Sequence, residues 1–297
     1  MISPLNTEAR APEHANLDQY PTDVLVRTFA QDQARAAEAV LAVSVRIAQA
    51  VDAAAERLAR GGRLIYVGAG TSGRLGLLDA VELNPTFSWP PARALALLAG
   101  GREALFQAIE GAEDSASAGE QDLTDIGVSE PDVVIVLAAS GATPFALGAL
   151  RAARKAGALT IAFANNPDAP LTAAAEIGIM LDTGAEVIAG STRLKAGTAQ
   201  KIALNTLSSA IMVRLNKVHG NLMVDVRATN AKLRKRAVSL TMHAAHCGEA
   251  RAVQALDACA FRVKTAIVMI ECNLKAAQAD ALLASVHGSV RKAVAVA

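Results

Sequence analysis

"RLIYVGAGTSGRLG" (residues 63–76) runs from an apolar segment straight into a loop with the spacing G-x-G-x-x-G, formed by Gly68, Gly70 and Gly73. After a strand, this spacing is typical of dinucleotide-binding units, in which backbone amides at a helix N-terminus hold a pyrophosphate. Thr71 and Ser72 precede the third glycine, and their hydroxyl groups also suit a phosphate monoester or a sugar. The stretch therefore predicts a strand–loop–helix unit that binds a phosphate group of one of these kinds.

The dinucleotide interpretation needs an acidic residue at the end of the second strand, about 20 residues beyond the last glycine. The chain there reads ARALALLAGGREAL (residues 92–105) and closes on Gly-Gly-Arg. Arg102 would suit the additional phosphate of NADP, so this interpretation stays open. A single phosphate in the first loop is favoured.

Four further apolar runs predict strands, and helical patterns separate them: ALALLAGG (94–101), DVVIVLAASG (132–141), ALTIAFANN (158–166) and IGIMLDTG (177–184). Nearly continuous apolar strands that alternate with helices indicate a parallel sheet covered on both faces. The sequence therefore predicts an α/β protein with three layers, α/β/α, and a small C-terminal helical subdomain.

The predicted domain boundaries follow the same pattern. Residues 1–60 are expected to form N-terminal helices that pack on the core, with one helical stretch over 32–60. Residues 61–234 are expected to form the α/β domain that binds the phosphate-bearing ligand, with a long helix over 195–215. Residues 235–297 read as several short helices and form the expected C-terminal subdomain.

Composition narrows the classes of partner. The chain has 297 residues, a formal net charge of +1 and only 3% aromatic residues, which argues against a nucleic-acid surface. The basic run KLRKR (residues 232–236) is interpreted as a solvated helix start. The most apolar long segment, residues 260–274, contains Arg262, Lys264 and Glu271, so no membrane span is expected.

Cysteine and histidine usage predicts neither disulfides nor a metal. Three cysteines occur without C-x-x-C spacing, which is typical of free thiols in a reducing compartment. The N-terminus lacks the order of a signal peptide, so a cytoplasmic location is expected. His243 and His246 are three residues apart, but no carboxylate stands at a telling spacing, so no metal site is predicted.

Two further loops repeat the combination of hydroxyl groups and a helix start. AASGATPF (residues 138–145) offers Ser140, Gly141 and Thr143 after a strand, and AGSTRLKAGTAQK (residues 189–201) offers Lys195 before the long helix. Helix N-termini attract phosphate, so these residues are candidate ligands of a phosphosugar. The alternatives are that the hydroxyls are ordinary N-caps and that Lys195 is a solvated lysine.

Two acidic segments follow the first two predicted strands. LLDAVELNPTF (residues 77–87) places Glu82 just after the predicted helix, and AIEGAEDSASAGEQDL (residues 108–123) contains Glu113. A pair of carboxylates suits general acid–base chemistry. The alternative for the second segment is a helix N-terminus capped by Asp114 or Ser115.

The chain resembles the family of N-acetylmuramic acid 6-phosphate etherases, which have the SIS (sugar isomerase) fold. The resemblance rests on GRLIYVGAGTSGRLGLLDAVE (62–82), AIEGAEDS (108–115), AASGATPF (138–145), GAEVIAGSTRLKAGTAQKIALNTLS (184–208) and NKVHGNLMVDVRATN (216–230). It covers nearly the whole chain. It implies cleavage of the lactyl ether of N-acetylmuramic acid 6-phosphate without metal or organic cofactor, by a homodimer.

The resemblance also implies roles for individual residues. The family segment D-A-S-E-C-P-P-T corresponds to residues 79–86, which keep its glutamate as Glu82, and the family segment G-A-E-D places the second glutamate at Glu113. Glu113 is expected to act as base and Glu82 as acid. The expected ligands of the phosphosugar are Thr71, Ser72, Gly73, Ser140, Gly141, Thr143 and Lys195.

Two other functions remain possible at this point. A phosphosugar isomerase or deaminase on the same fold would use the same loops and a glutamate base. A sugar-phosphate-sensing protein, such as the regulator of glucokinase, is a binding protein whose halves resemble this family, but it carries two SIS domains. The presence of both glutamates favours the enzyme.

Overall fold

The computed structural model describes residues 5–226, 228 and 230–297. Arg227 and Thr229, which belong to one of the blocks quoted above, lie outside the described residues. Within them, no helix is long and apolar enough to cross a membrane.

A five-stranded parallel sheet forms the centre of the first part of the chain. Its strand order is β2-β1-β3-β4-β5. The strands are β1 (Leu64–Gly68), β2 (Ala94–Leu98), β3 (Val133–Leu137), β4 (Leu159–Ala164) and β5 (Ile177–Met180). All five predicted strands are thereby confirmed, as is the parallel sheet.

The strands end level with one another at one edge of the sheet. Gly68, the last residue of β1, pairs with Leu98 of β2 and with Leu137 of β3. The side chains of β1, β3 and β4 are fully buried, because helices cover both faces of the sheet. The loops that leave these strands therefore meet at one edge, where open α/β sheets bind their ligands.

Twelve helices accompany the sheet within the described residues. Those of the first part are α1 (Thr22–Ala42), α2 (Ser44–Ala59), α3 (Gly70–Phe87), α4 (Ala116–Asp125), α5 (Pro144–Lys155), α6 (Pro170–Ala174) and α7 (Lys195–Arg214). The later ones are α8 (Ala231–Ala244), α9 (Glu249–Ala258), α10 (Val263–Cys272), α11 (Ala276–Ser285) and α12 (Val290–Val296). The long helix predicted over 195–215 is confirmed.

Two helix predictions were wrong. The single helix expected over residues 32–60 is two helices, α1 and α2, separated at Val43. The first of them begins at Thr22, ten residues before the predicted start. Glu82 was expected just after a helix, yet α3 continues through it to Phe87 and includes Pro85. Proline removes one hydrogen bond from a helix, and α3 ends within two residues of it.

The described residues divide into two compact units. The first comprises residues 5–80 and 91–208 and contains the sheet; the second comprises residues 81–90 and the described residues from 209 to 297. The second unit has its own apolar core, which includes Leu256, Ile267 and Leu283. The boundary at 234–235 that the sequence suggested falls inside the second unit, and the segment that carries Glu82 belongs to that unit.

Candidate active site

A cavity of about 410 Å³ opens beside the loops that leave β1 and β2. Ala69 and Gly70 of the first loop line it together with Ala99, which follows β2. Glu113 lies in its wall. The structure thus places the glycine-rich loop and one of the two predicted catalytic glutamates at the same cavity.

The glycine-rich loop is held close to the sheet. A Cβ atom on Gly73 would lie 2.6 Å from the carbonyl oxygen of Gly68 and 2.2 Å from Cδ1 of Leu98. The amide of Gly73 donates to the carbonyl oxygen of Ala69 at 3.2 Å. Gly73 therefore serves close packing of α3 on the strand, which brings the start of the helix to the cavity.

The two hydroxyl residues of this loop differ in their surroundings. Ser72 is only 7% exposed, and its Oγ donates to Oε1 of Gln200 at 2.8 Å. Thr71 is half-buried and makes no hydrogen bond through its side chain to the described part of the chain. Thr71 is thus the more accessible of the two hydroxyls.

The loop after β3 carries a second pair of hydroxyl groups. Oγ of Ser140 and Oγ1 of Thr143 lie 3.4 Å apart, and the amide of Ala142 donates to Ser140. Thr143 occupies the N-cap position of α5 but makes no side-chain capping bond, so the N-cap interpretation is wrong for this residue. Gly141 has φ +70°, and a Cβ there would lie 2.3 Å from Cβ of Ala169. The positive φ and this close approach require glycine.

The loop before α7, residues 189–201 in the sequence analysis, does not present Lys195 to a ligand as the sequence predicted. Lys195 is fully buried; its Nζ pairs with Oδ1 of Asp32 at 2.6 Å and donates to the carbonyl oxygen of Ala185 at 2.7 Å. The alternative of a solvated lysine is therefore wrong. A phosphate would have to displace the Asp32 carboxylate from this ammonium group.

A carboxylate already occupies the N-terminus of α7. Glu186 accepts hydrogen bonds from the amides of Lys195 at 3.0 Å and Ala196 at 2.8 Å. Burial raises the pKa of Glu186, and the two amides and the charge of Lys195 oppose that effect. Because carboxylates already occupy this helix start and the Lys195 ammonium group, Lys195 is not expected to bind the phosphate, contrary to the sequence expectation.

The two glutamates are both exposed. Glu113 lies in the 3₁₀ turn Ala112–Asp114, and Glu82 lies on α3 in the second unit. Ser115 caps α4 by accepting from the amide of Ala118 at 3.1 Å, as the alternative interpretation of this segment expected. The side chain of Glu113 itself makes no hydrogen bond or ion pair with the described residues.

Arg74 is a residue of this cavity that sequence reasoning missed. It lines the cavity from α3, and its Nη2 donates to the carbonyl oxygen of Ala104 at 2.7 Å. The contact ties α3 to the segment that leads from β2 towards Glu113. No local pattern marks this role, because the two partners are 30 residues apart in the chain.

No group of three or more histidine, cysteine, aspartate or glutamate side chains is arranged to hold a metal ion in the described ranges.

The first part of the chain, with its parallel sheet and the hydroxyl-bearing loops after β1 and β3, is an α/β domain of the SIS class. The sequence model of the SIS domain matches residues 112–210, and that of the glucokinase regulatory protein N-terminal SIS domain matches residues 46–154. A solved chain from Bacteroides fragilis that bears the name of a phosphosugar isomerase shares the fold, with a TM-score of 0.50, 21% identity, and coverage of 66% of this chain and 98% of its own.

Relatives with much higher identity define the family more narrowly. The N-acetylmuramic acid 6-phosphate etherase of Deinococcus radiodurans is 56% identical over 98% of this chain and 96% of its own length. The etherases of Edwardsiella ictaluri and Rubrobacter xylanophilus are 48% and 50% identical, each over 99% of this chain and 98% and 97% of their own lengths. This chain belongs to the family of N-acetylmuramic acid 6-phosphate etherases, which confirms the resemblance noted from its sequence.

Proposed function

We propose that the protein is a carbon–oxygen lyase that cleaves the D-lactyl ether of N-acetylmuramic acid 6-phosphate. The products are N-acetylglucosamine 6-phosphate and D-lactate. The observation that carries the proposal is the position of Glu113 in the wall of the same cavity as the glycine-rich loop, in a chain that is 56% identical to a named etherase.

The reaction begins with removal of a proton from C2 of the open-chain sugar. The C1 aldehyde acidifies this hydrogen, and Glu113 accepts it as general base. Glu113 suits this role because it faces the cavity and is not engaged by another side chain among the residues described.

Departure of the lactate oxygen from C3 needs a proton donor, and Glu82 is proposed for this step. Water then adds to C3 of the unsaturated aldehyde and gives one proton to the Glu82 carboxylate, while protonated Glu113 returns its proton to C2, so both glutamates regain their starting states. The atoms balance, because the ether oxygen leaves with lactate and water supplies the new C3 hydroxyl group.

The phosphate group is proposed to lie at the carboxyl end of β1 and β3. The first loop offers Thr71 beside Ser72 and Gly73 at the start of α3, and the second offers Ser140, Gly141 and Thr143 at the start of α5. Hydroxyl groups and helix N-termini together favour a phosphate monoester. No organic cofactor or metal is needed for the steps above.

We further propose that the enzyme is a cytoplasmic homodimer. Support for the dimer comes from apolar side chains that are exposed on α1 and α2, such as Leu41 and Val45. Support for the location comes from Cys247, Cys259 and Cys272, all of which are free thiols. Light scattering at micromolar concentration tests the dimer, and the mass of a single chain would contradict it.

The test of the function is lactate release from N-acetylmuramic acid 6-phosphate in oxygen-18 water. We expect the label at C3 of N-acetylglucosamine 6-phosphate and none in the hydroxyl group of lactate. Label in lactate would contradict elimination, and proton transfer from C2 to C1 without lactate release would favour the isomerase. Glu113→Gln should release no lactate in the same assay, because the proposed base is lost. Glu120→Gln, on the exposed face of α4, is its matched control and should release lactate as the wild type does.

A further inference from the structure

Four side chains and one backbone carbonyl form a buried hydrogen-bond chain across the sheet edge of the first unit. Ser72 Oγ donates to Oε1 of Gln200 at 2.8 Å, and Nε2 of Gln200 donates to Oδ1 of Asn165 at 2.9 Å. Nδ2 of Asn165 donates to the carbonyl oxygen of Leu181 at 3.3 Å and to Oγ1 of Thr183 at 3.4 Å. The chain joins the first turn of α3 to α7 and to the residues that follow β4 and β5.

The direction of this chain is fixed at its far end. The carbonyl oxygen of Leu181 has no hydrogen and can only accept, so the amide NH₂ of Asn165 faces it. Oδ1 of Asn165 then faces Gln200 and requires the NH₂ of that residue. Oε1 of Gln200 is left facing Ser72, so the Ser72 hydroxyl must donate its single hydrogen to Gln200.

From this we infer that Gln200 and Asn165 are positioning residues of the phosphate-binding loop, and that Ser72 anchors the loop to Gln200 while Thr71 supplies the hydroxyl hydrogen for the phosphate. This inference rests on the proposed function for the identity of the ligand. If Ser72 turned its hydrogen towards a ligand, the buried Oε1 of Gln200 would lose its partner, which is unfavourable. Thr71 is half-buried and has no such commitment among the described residues.

Steady-state kinetics of three single variants, two double variants and one control variant test the assignment. Ser72→Ala and Gln200→Leu should each raise KM for the 6-phosphate substrate about tenfold with little change in kcat, because both release the same loop. The double variant should be no worse than the single ones. Thr71→Val should also raise KM about tenfold, but its effect should multiply with that of Gln200→Leu, to about one hundredfold. Gln121→Leu, an exposed glutamine on α4, is the matched control and should leave KM unchanged.

The direction of the chain has its own test in Gln200→Glu. The ionised carboxylate of this variant still accepts a hydrogen bond from Ser72, but its second oxygen faces Oδ1 of Asn165, which cannot donate. KM should therefore be high at neutral pH. Protonation restores a donor towards Asn165, so KM should fall towards the wild-type value as the pH is lowered. A Gln200→Glu enzyme with wild-type KM at neutral pH would overturn the inferred direction.

Two other outcomes would also overturn the inference. One is that Ser72→Ala raises KM far more than Gln200→Leu does. The other is that the KM effects of these two substitutions multiply in the double variant. A second measurement distinguishes failure of the proposed function from failure of this inference: the rise in the thermal unfolding temperature when inorganic phosphate is added. The wild type could release no lactate and still be stabilised by phosphate. In that case, if the variants weaken phosphate binding in the pattern expected for KM, the inference is supported while the proposed function is contradicted. If phosphate gives no stabilisation to the wild type, the inference fails as well.

Discussion

Nζ of Lys195 lies 2.6 Å from Oδ1 of Asp32, and this buried ion pair joins the first residue of α7 to the middle of α1. The lysine is fully buried, and the side chain of Asp32 is 10% exposed. Oδ2 of Asp32 is buried without a hydrogen-bond partner among the described residues. The pair therefore holds two elements of the first unit together while one of its oxygens remains unsatisfied.

Removal of one partner of this pair should destabilise the protein strongly. Lys195→Met leaves the Asp32 carboxylate buried without its cation, which typically lowers the free energy of unfolding by about 3–5 kcal/mol. Lys195→Met combined with Asp32→Leu should recover much of this loss, because apolar pairs often replace buried ion pairs without cost. Urea unfolding measures both, with Lys201→Met on the exposed side of α7 as control. Equal stability of Lys195→Met and wild type would contradict the role assigned to the pair.

Acid should weaken the fold through Asp132. Burial of this side chain tends to raise its pKa, but hydrogen bonds from Arg63 and Ser129 and the Arg63 charge outweigh burial, and the net pKa is lowered. A carboxylate with a lowered pKa stabilises the fold fully above its unfolded value of about 3.9, and this contribution is lost as the pH falls towards and through the folded value.

The Asp132→Asn variant should accordingly be less stable than wild type at neutral pH, and the difference should shrink as the pH is lowered below about 4. Thermal unfolding between neutral and acid pH follows both proteins. Asp18→Asn, on an exposed turn, should keep the wild-type pH dependence. A gap between Asp132→Asn and wild type that is constant over the whole range would refute the assignment.

Ser140 should contribute to affinity for the phosphate group. Loss of one hydrogen bond to a charged group costs about 1.5–3 kcal/mol, so Ser140→Ala should raise KM for the phosphorylated substrate by about ten- to one hundredfold. The unphosphorylated sugar should be a poor substrate for wild type and variant alike. Ser209→Ala, at an exposed position of α7, should behave as wild type. If the enzyme processes both sugars equally well, the loops do not bind phosphate.

The two glutamates should be separable by isotope exchange. Glu82→Gln and Glu113→Gln should each abolish lactate release, because glutamine matches the shape of glutamate but does not exchange protons. In deuterated water, Glu82→Gln should still exchange the C2 hydrogen slowly, since the proposed base remains, whereas Glu113→Gln should not. The reverse pattern would interchange the two roles. Mass spectrometry of the sugar measures the exchange.

Strands were easier to predict than helix ends in this chain. Each buried strand is a short apolar run bounded by polar or glycine residues, so all five were evident in the sequence. The break at Val43 has neither glycine nor proline, and the helical pattern continues across it. The helix after the first loop was expected to end before Glu82, but α3 runs on to Phe87 and contains Pro85, which removes one helix hydrogen bond.

The sequence indicated candidate site residues but not the hydrogen-bond partners of their side chains. Glycine and hydroxyl patterns directed attention to Thr71, Ser72 and Ser140, and family motifs to the glutamates. The environment of Lys195 was not evident, because Asp32 is 163 residues away in the chain. The same holds for Gln200, whose partners come from two distant loops and are brought together only by the sheet.

The hydrogen bond from Asn165 to the carbonyl oxygen of Leu181 bears on which positions can vary during evolution. A backbone carbonyl is present whatever side chain stands at position 181, so sequence drift there leaves the acceptor in place provided the strand keeps its course. Positions 165 and 200, in contrast, must each supply a donor and an acceptor at once, which among uncharged side chains of suitable length leaves only the amides. The hydrogen bond itself therefore sets no requirement on the side chain at position 181, although Leu181 is buried for packing, whereas it restricts positions 165 and 200 closely.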